Sequence, residues 1–208
     1  MPKLYYLRES APSRAVQMTA LAVGVELELM ELNVTKDEPR RPDYERVSPQ
    51  YSIPTLKDKS LVLWESRAIQ IYLVDQYGQN DNLYPKDPAK RAKVNERMFF
   101  DACILYHRFS EYYHEQVFGG LEGDLKKMGA LEHAVRMLDL FLEGQSYVTG
   151  QNMTIVDLSM LATIATMNAL GFDLERYQNV SEWYKHMNNV APGAEINEEG
   201  AKAFGTFS

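Results

Sequence analysis

The sequence predicts a two-part chain, a small α/β unit on a four-stranded mixed sheet followed by an all-helical unit. Three observations carry this reading. The first third alternates short apolar runs with helical segments. Residues 78–88 are punctuated by Gly, Asn and Pro. From Ala89 onward the apolar residues recur at helical spacing almost throughout.

Residues 3–7 are short and aromatic-rich, as a strand requires. Val16, Ala20 and Val23 then mark the apolar face of a helix over 13–23. Residues 26–32 read as a second strand, with Leu27, Leu29 and Glu31 on one side. Strand, helix and strand in that order imply a parallel pair joined by a crossover. The stretch 35–44 holds too many charges and prolines to be core. Residues 53–57 and 61–64 flank Asp58-Lys59-Ser60 and read as a hairpin. A helix over 66–77, with Ile69, Tyr72 and Leu73 on one face, closes the unit.

This divides the chain into residues 1–78, a linker at 79–88 and a helical unit at 89–208. The main helices of the second unit are predicted over 89–113, 125–142, 155–170 and 179–189. Thr154 and Asp157 have the spacing of a capping box, and Met153 can staple to Leu158. That motif is read as structural.

Composition narrows the function. The excess of 29 acidic over 22 basic residues leaves a net charge of −7, which argues against nucleic acid or an anionic membrane as main partner. Cys103 is the only cysteine, so an intramolecular disulfide and multi-thiolate zinc sites are out of reach. The four histidines lack metal-ligand spacing, and no metal is assigned. The chain has no apolar run of the roughly 18 residues that span a bilayer. Its opening segment lacks the apolar core of a signal peptide, so a cytoplasmic protein is expected.

Three segments carry chemistry. Ser10 lies between the first strand and first helix, two residues before Pro12. A serine there can cap the helix; equally, its hydroxyl can donate to an anion drawn by the helix terminus. Donation to a thiolate would lower a thiol pKa from about 8.5 towards neutrality. Ile53-Pro54 opens a strand and biases Ile53 to stay extended. With a cis Pro54 the Ile53 backbone could pair with an extended peptide, whereas an ordinary edge proline is the plain alternative. Glu65, Ser66 and Arg67 occupy a strand-to-helix junction. Ser66 with the amides behind it can hold a carboxylate and Glu65 an ammonium, a grip for a zwitterionic amino acid; helix capping with a local ion pair is the alternative.

Together the stretches "YYLRESAPSRAV", "VSPQYSIPTL", "LWESRAIQIYLVDQYG", "LYPKDPAKRAKVN" and "VTGQNMTIVDL" resemble the cytosolic glutathione transferases, and closely the insect delta class. The resemblance covers essentially the whole chain in the right order. It implies a thioredoxin-like N-terminal domain, an all-helical C-terminal domain, a homodimer, and conjugation of glutathione to hydrophobic electrophiles. Glutathione would be a co-substrate, with no separate cofactor. A thioredoxin-like fold would keep a C-x-x-C pair at residues 10–13, and its absence excludes dithiol exchange by that route.

By the same resemblance Ser10 is the thiol activator and Ile53, ahead of Pro54, pairs with the cysteinyl backbone. Glu65 and Ser66 contact the γ-glutamyl end, with Arg67 beside them and Asp101 in support. Gln50 and Tyr51 line the channel to the glycyl end. Pro12, Tyr106, Phe109, Tyr113 and Phe118 lie near the electrophile pocket, and Phe204 and Phe207 cover its mouth. Core packing is the alternative for about half of the helical aromatics. Met98, Phe99 and Cys103 lie on the helix of the family's subunit contact.

Two departures matter. The delta pattern reads Pro-Gly before the serine, and this chain has Arg8-Glu9. A carboxylate turned inward there would oppose a thiolate, and a glycine's backbone freedom is lost. Where the family commonly has histidine, this chain has Tyr51, which removes a positive charge from the glycyl-carboxylate contact. Tyr6 is the rival thiol activator, since other classes use a tyrosine near the end of the first strand. The alternative function is a non-catalytic carrier of glutathione or hydrophobic ligands with weak transferase activity.

Overall fold

The computed structural model describes residues 1–32 and 42–206. Most of the polar stretch predicted at 35–44, and Phe207, lie outside the described residues. The first unit runs β1 (Lys3–Tyr6), α1 (Ala11–Val23), β2 (Glu28–Glu31), α2 (Pro42–Glu45), β3 (Thr55–Asp58), β4 (Leu61–Trp64) and α3 (Ser66–Tyr77). The sheet order is β2-β1-β3-β4, with β1 parallel to β2 and the other pairs antiparallel. This is the mixed four-stranded sheet expected, and β3–β4 is the expected hairpin.

Leu4 on β1 faces Leu56 on β3, and both are fully buried with Val16 and Ala20 of α1 and Ile69 and Leu73 of α3. One apolar layer therefore fixes both helices to the sheet. The one-sided burial expected of the second strand is not found. Glu28 to Glu31 are all exposed; β2 is an edge strand that, among the described residues, pairs only with β1.

The helical unit holds α4 (Pro88–Phe100), a π-helical turn (Asp101–Leu105), α5 (Tyr106–Gly119), α6 (Leu125–Phe141), α7 (Ile155–Ala169), a 3-10 turn (Leu174–Arg176), α8 (Gln178–Val190) and α9 (Ala194–Gly205). The helix predicted over 89–113 is thus one helical run with a π turn inside it. It ends where Gly120 takes φ 61°, a left-handed conformation suited to glycine. Helix α9 was absent from the sequence reading. Gly193 precedes it, Gly200 and Gly205 weaken its pattern, and packing on α7, α1 and α8 supports it.

Every residue of α7 from Ile155 to Met167 is buried, so this helix is the centre of the large core. Its first turn needs internal partners. The capping box returns one bond, from the Thr154 N–H to Asp157 at 2.8 Å, and Asp157 also accepts from the Thr154 hydroxyl at 3.1 Å, the Val148 N–H at 2.8 Å and the Trp183 indole at 3.2 Å. Among the described residues no helix is long and apolar enough to cross a membrane.

At the end of β3 the buried Asp58 accepts from the hydroxyls of Tyr72, at 2.7 Å, and Tyr77. The Tyr77 bond, helped by the Tyr72 bond against the effect of burial, holds the Asp58 carboxyl below its ordinary range.

Two outcomes are expected. Asp157→Ala removes the acceptor of four buried donors and should lower stability by about 3 kcal/mol, against about 1 kcal/mol for Thr154→Ala, in urea unfolding. Tyr77→Phe should cost about 1–2 kcal/mol at neutral pH. Because the folded Asp58 pKa is depressed, that stabilisation is complete above about pH 4 and is lost as pH falls through the folded value. Unfolding measured across acid pH should therefore show wild type and variant converging.

Candidate functional site

The site is built around the β1–α1 turn. The Ser10 N–H donates to the Leu7 carbonyl at 3.1 Å, and the Arg14 N–H donates to the Ser10 carbonyl at 3.0 Å. Ser10 is the N-cap of α1, its Oγ accepting the Ser13 N–H at 3.3 Å. The Ser13 hydroxyl in turn accepts the Leu7 N–H at 3.3 Å. Capping and donation do not compete at Ser10. The cap uses a lone pair of the hydroxyl oxygen and leaves its proton free to donate.

The Arg8-Glu9 pair resolves into two different roles. Arg8 points outward and meets Glu199 of α9 at 3.3 Å, with 52% of its side chain exposed. It does not cover Glu9, whose Oε2 is buried without a hydrogen-bond partner among the described residues. Glu9 does not need a glycine's backbone here. Among the described residues the positive-φ non-glycine positions are Tyr51, Lys59 and Glu65.

Two of those three are predicted site residues. Tyr51 (φ 55°) is exposed and donates its hydroxyl to Glu45 at 2.8 Å, and Gln50 beside it is also exposed. Glu65 (φ 71°) stands exposed at the head of α3, ahead of the buried Ser66. Backbone held in this region costs about 1–3 kcal/mol and concentrates at functional positions. The Ile53–Pro54 peptide bond is cis, and Ile53 lies just outside the β1–β3 ladder, which begins at Thr55.

Arg67 ties this edge to the helical unit. Its Nε and Nη2 reach one oxygen of the fully buried Asp101, at 2.9 and 2.7 Å, and its Nη1 donates to Ser66 Oγ at 3.2 Å. The same Asp101 oxygen accepts from Ser159 of α7 at 2.6 Å, while Oδ1 has no partner among the described residues. Asp101 opens the π turn, a local widening that often marks a functional position in a helix. The Arg67 guanidinium also lies 5.0 Å from the centre of the Tyr106 ring.

From Tyr106 an aromatic cluster extends along α5. Phe109 contacts Tyr106 at 5.8 Å, Tyr113 at 5.5 Å and Phe204 of α9 at 6.2 Å between ring centres. Phe118 meets Phe204 at 5.7 Å and remains 57% exposed. Phe109, Tyr113 and Phe204 are buried and belong to the core as well. Burial pushes the Tyr113 phenol up to about 12 and raises that of Tyr106. Pro12 is half-buried in the first turn of α1.

Sequence reasoning missed His114, which packs against Phe109, Phe118 and Phe204 and shares a 3.0 Å hydrogen bond with Ser110. Burial lowers its pKa, which favours the neutral imidazole. The signal was its i, i+4 spacing to both Ser110 and Phe118. Tyr6, the rival activator, packs partly buried against the sheet core, and burial raises its phenol pKa. No cluster of metal-ligating side chains occurs among the described residues.

A groove of about 1030 Å³ opens elsewhere, between the end of α1, residues 78–90 and the start of α7. None of the predicted site residues lines it. The groove and the constellation at Ser10, Glu65 and Arg67 are therefore separate features of the molecule.

Residues 2–75 match the family model described as glutathione S-transferase, N-terminal domain, and residues 112–190 match its C-terminal domain. The chain is 50% identical to glutathione S-transferase 2 of Anopheles gambiae over 208 residues, all of both chains. A delta-class glutathione transferase of Nilaparvata lugens superposes with a TM-score of 0.96 at 45% identity, covering 100% of this chain and 98% of that one. A glutathione transferase homologue from Drosophila mojavensis, solved with bound glutathione, superposes at 0.92 with 31% identity, covering 99% and 95%. The chain belongs to the glutathione S-transferase family, and its resemblance within it is to the insect delta class.

Proposed function

We propose that the protein is a glutathione S-transferase that conjugates reduced glutathione to hydrophobic electrophiles, with Ser10 stabilising the thiolate. The observation that carries this reading is the Ser10 hydroxyl at the head of α1. Its oxygen is engaged by the Ser13 N–H, its proton is free, and the helix terminus favours an anion. The thiol proton leaves to solvent, the thiolate sulfur forms the new bond to carbon, and the leaving group departs with its electron pair. Holding both reactants side by side supplies the rest, so the chemistry needs no metal or separate cofactor.

In this reading Ile53, ahead of Pro54, pairs with the cysteinyl backbone, and Glu65 and Ser66 grip the γ-glutamyl ammonium and carboxylate. Arg67 is braced for its place by Asp101 and Ser159. Gln50 and Tyr51 serve the glycyl end. Pro12, Tyr106, Tyr113, Phe118 and Phe204 form the apolar side, and Phe109, 1% exposed, acts as the wall behind them. The working form is a cytoplasmic homodimer. Phe99, with 69% of its surface exposed, and the exposed Cys103 face outward for a second subunit, while Met98 is buried in its own. The division is residues 1–78 for glutathione, a linker at 79–88 and residues 89–208 for the electrophile.

The buried Glu9 oxygen favours a second reading, a glutathione carrier with weak activity, because a carboxylate beside Ser10 disfavours the thiolate. Turnover of a generic aryl halide near neutral pH separates the two. Intact glutathione binding without turnover would sink the transferase.

Ser10→Ala should reduce kcat/KM about a hundredfold, the worth of one hydrogen bond to a charged group, while Tyr6→Phe leaves it unchanged. The reverse pattern would reassign the activator. Tyr51→His should lower the KM for glutathione about threefold, because histidine tolerates the positive φ and adds a cation for the glycyl carboxylate. An unchanged KM would count against Tyr51 at that position.

A further inference from the structure

We propose that α9 braces the catalytic turn: Arg14, held by Asn197 and α7, fixes the Glu9 carbonyl, while Gly200 lets α9 close on Arg8. Arg14, Asn197 and Gly200 are then positioning residues for the Ser10 hydroxyl, an inference that rests on the reading of Ser10 as thiol activator.

Arg14 is fully buried, and each of its nitrogens has a role. Its Nε donates to Asn197 Oδ1 at 3.0 Å. Its Nη1 donates to the Glu9 carbonyl at 2.6 Å. Its Nη2 donates to the Ala162 carbonyl at 3.0 Å and to Thr166 Oγ1 at 2.5 Å. None of these acceptors is a carboxylate, so neutral dipoles solvate a buried cation, an arrangement that is costly unless every bond is made. Burial lowers the guanidinium to about 10, opposed by the charges of Glu198 and Glu9, and it remains cationic at neutral pH. Glu9 is the residue before Ser10, so the Nη1 bond holds the peptide that leads into the serine.

Two details of α9 point to the same contact. Asn197 is fully buried and its Nδ2 has no partner among the described residues, so its Oδ1 is the atom with a task. A Cβ added at Gly200 would lie 2.5 Å from the Arg8 carbonyl and 2.5 Å from Arg14 Cδ. The bare glycine is therefore what permits α9 to touch the backbone of the turn. Asn197, Gly200 and Phe204 share one face of α9, at i, i+3 and i+7. One rigid helix thus meets the thiol turn at one end and the aromatic cluster at the other.

The test is the pH titration of the ultraviolet absorbance of enzyme-bound glutathione thiolate. It is run on wild type, Ser10→Ala, Asn197→Leu, Asn197→Asp, Gly200→Ala and Leu131→Ala. Asn197→Leu and Gly200→Ala should raise the bound thiol pKa, cutting the thiolate fraction at neutral pH about tenfold. Their kcat/KM should recover towards wild type at alkaline pH. Asn197→Asp keeps the acceptor and should retain the wild-type profile. Leu131→Ala, in the buried core of α6, should lower Tm without moving the profile. Gly200→Ala removes no hydrogen bond and carries the test alone should Asn197→Leu not fold. A shift in Ser10→Ala with none in Asn197→Leu or Gly200→Ala overturns the brace alone. No shift in Ser10→Ala overturns the serine assignment and the brace with it. An equal shift in Leu131→Ala reduces the effect to general destabilisation and also overturns the brace.

Discussion

A helix without a solvent face governs this structure. Along α7 every residue from Ile155 to Met167 is buried, so each polar group on it must find its partner inside the protein. Asp157 closes the first turn. Ser159 donates to Asp101, and Thr166, with the Ala162 carbonyl, receives Arg14. Ser159, Ala162 and Thr166 fall at i, i+3 and i+7, one stripe of one helix. From that stripe one connection runs through Asp101 to Arg67 and the head of α3. The other runs through Arg14 to the peptide before Ser10. Both the β1–α1 turn and the head of α3 are thereby referenced to a helix buried from Ile155 to Met167.

The site also gathers features that oppose stability. Tyr51 and Glu65 hold positive φ, Asp101 begins a π turn, and Asp101 and Glu9 each bury an oxygen without a partner among the described residues. Such departures persist where surrounding packing over-determines the local conformation. Here that packing is the layer of Leu4, Leu56, Ile69 and Leu73 beneath the sheet and the large core around α7. The unpartnered Glu9 oxygen lies one residue before the head of α1, where a negative charge opposes the preference of the helix terminus for a further anion.

Local signals were legible where the energy is local. The capping box at Thr154 and Asp157 needs only three residues of spacing and marks the start of α7, and the helix over 66–77 follows from apolar periodicity. The Ser10 cap was equally plain, and so was the possibility of an anion there. Helix α9 was not legible, because its glycines weaken the pattern and its stability comes from α1, α7 and α8. The exposure of β2 was hidden too. Alternation predicts two faces, but strand order decides whether either is covered.

Sequence alone was enough for the fold class, the order of most elements and the three segments singled out as candidate chemistry. Each depends on periodicity or spacing within a short stretch of chain. Only the tertiary structure decided how those segments meet: that Arg8 turns outward to Glu199 while Glu9 buries an oxygen, and that Arg14 bonds residues 9, 162, 166 and 197 at once. It also showed that the Ser10 cap leaves its proton available. The contacts of Arg8 with Glu199 and of Arg14 with residues 162, 166 and 197 share one origin. A buried polar group is satisfied by whatever the fold brings beside it, and contacts across more than a hundred residues leave no periodic trace in the chain.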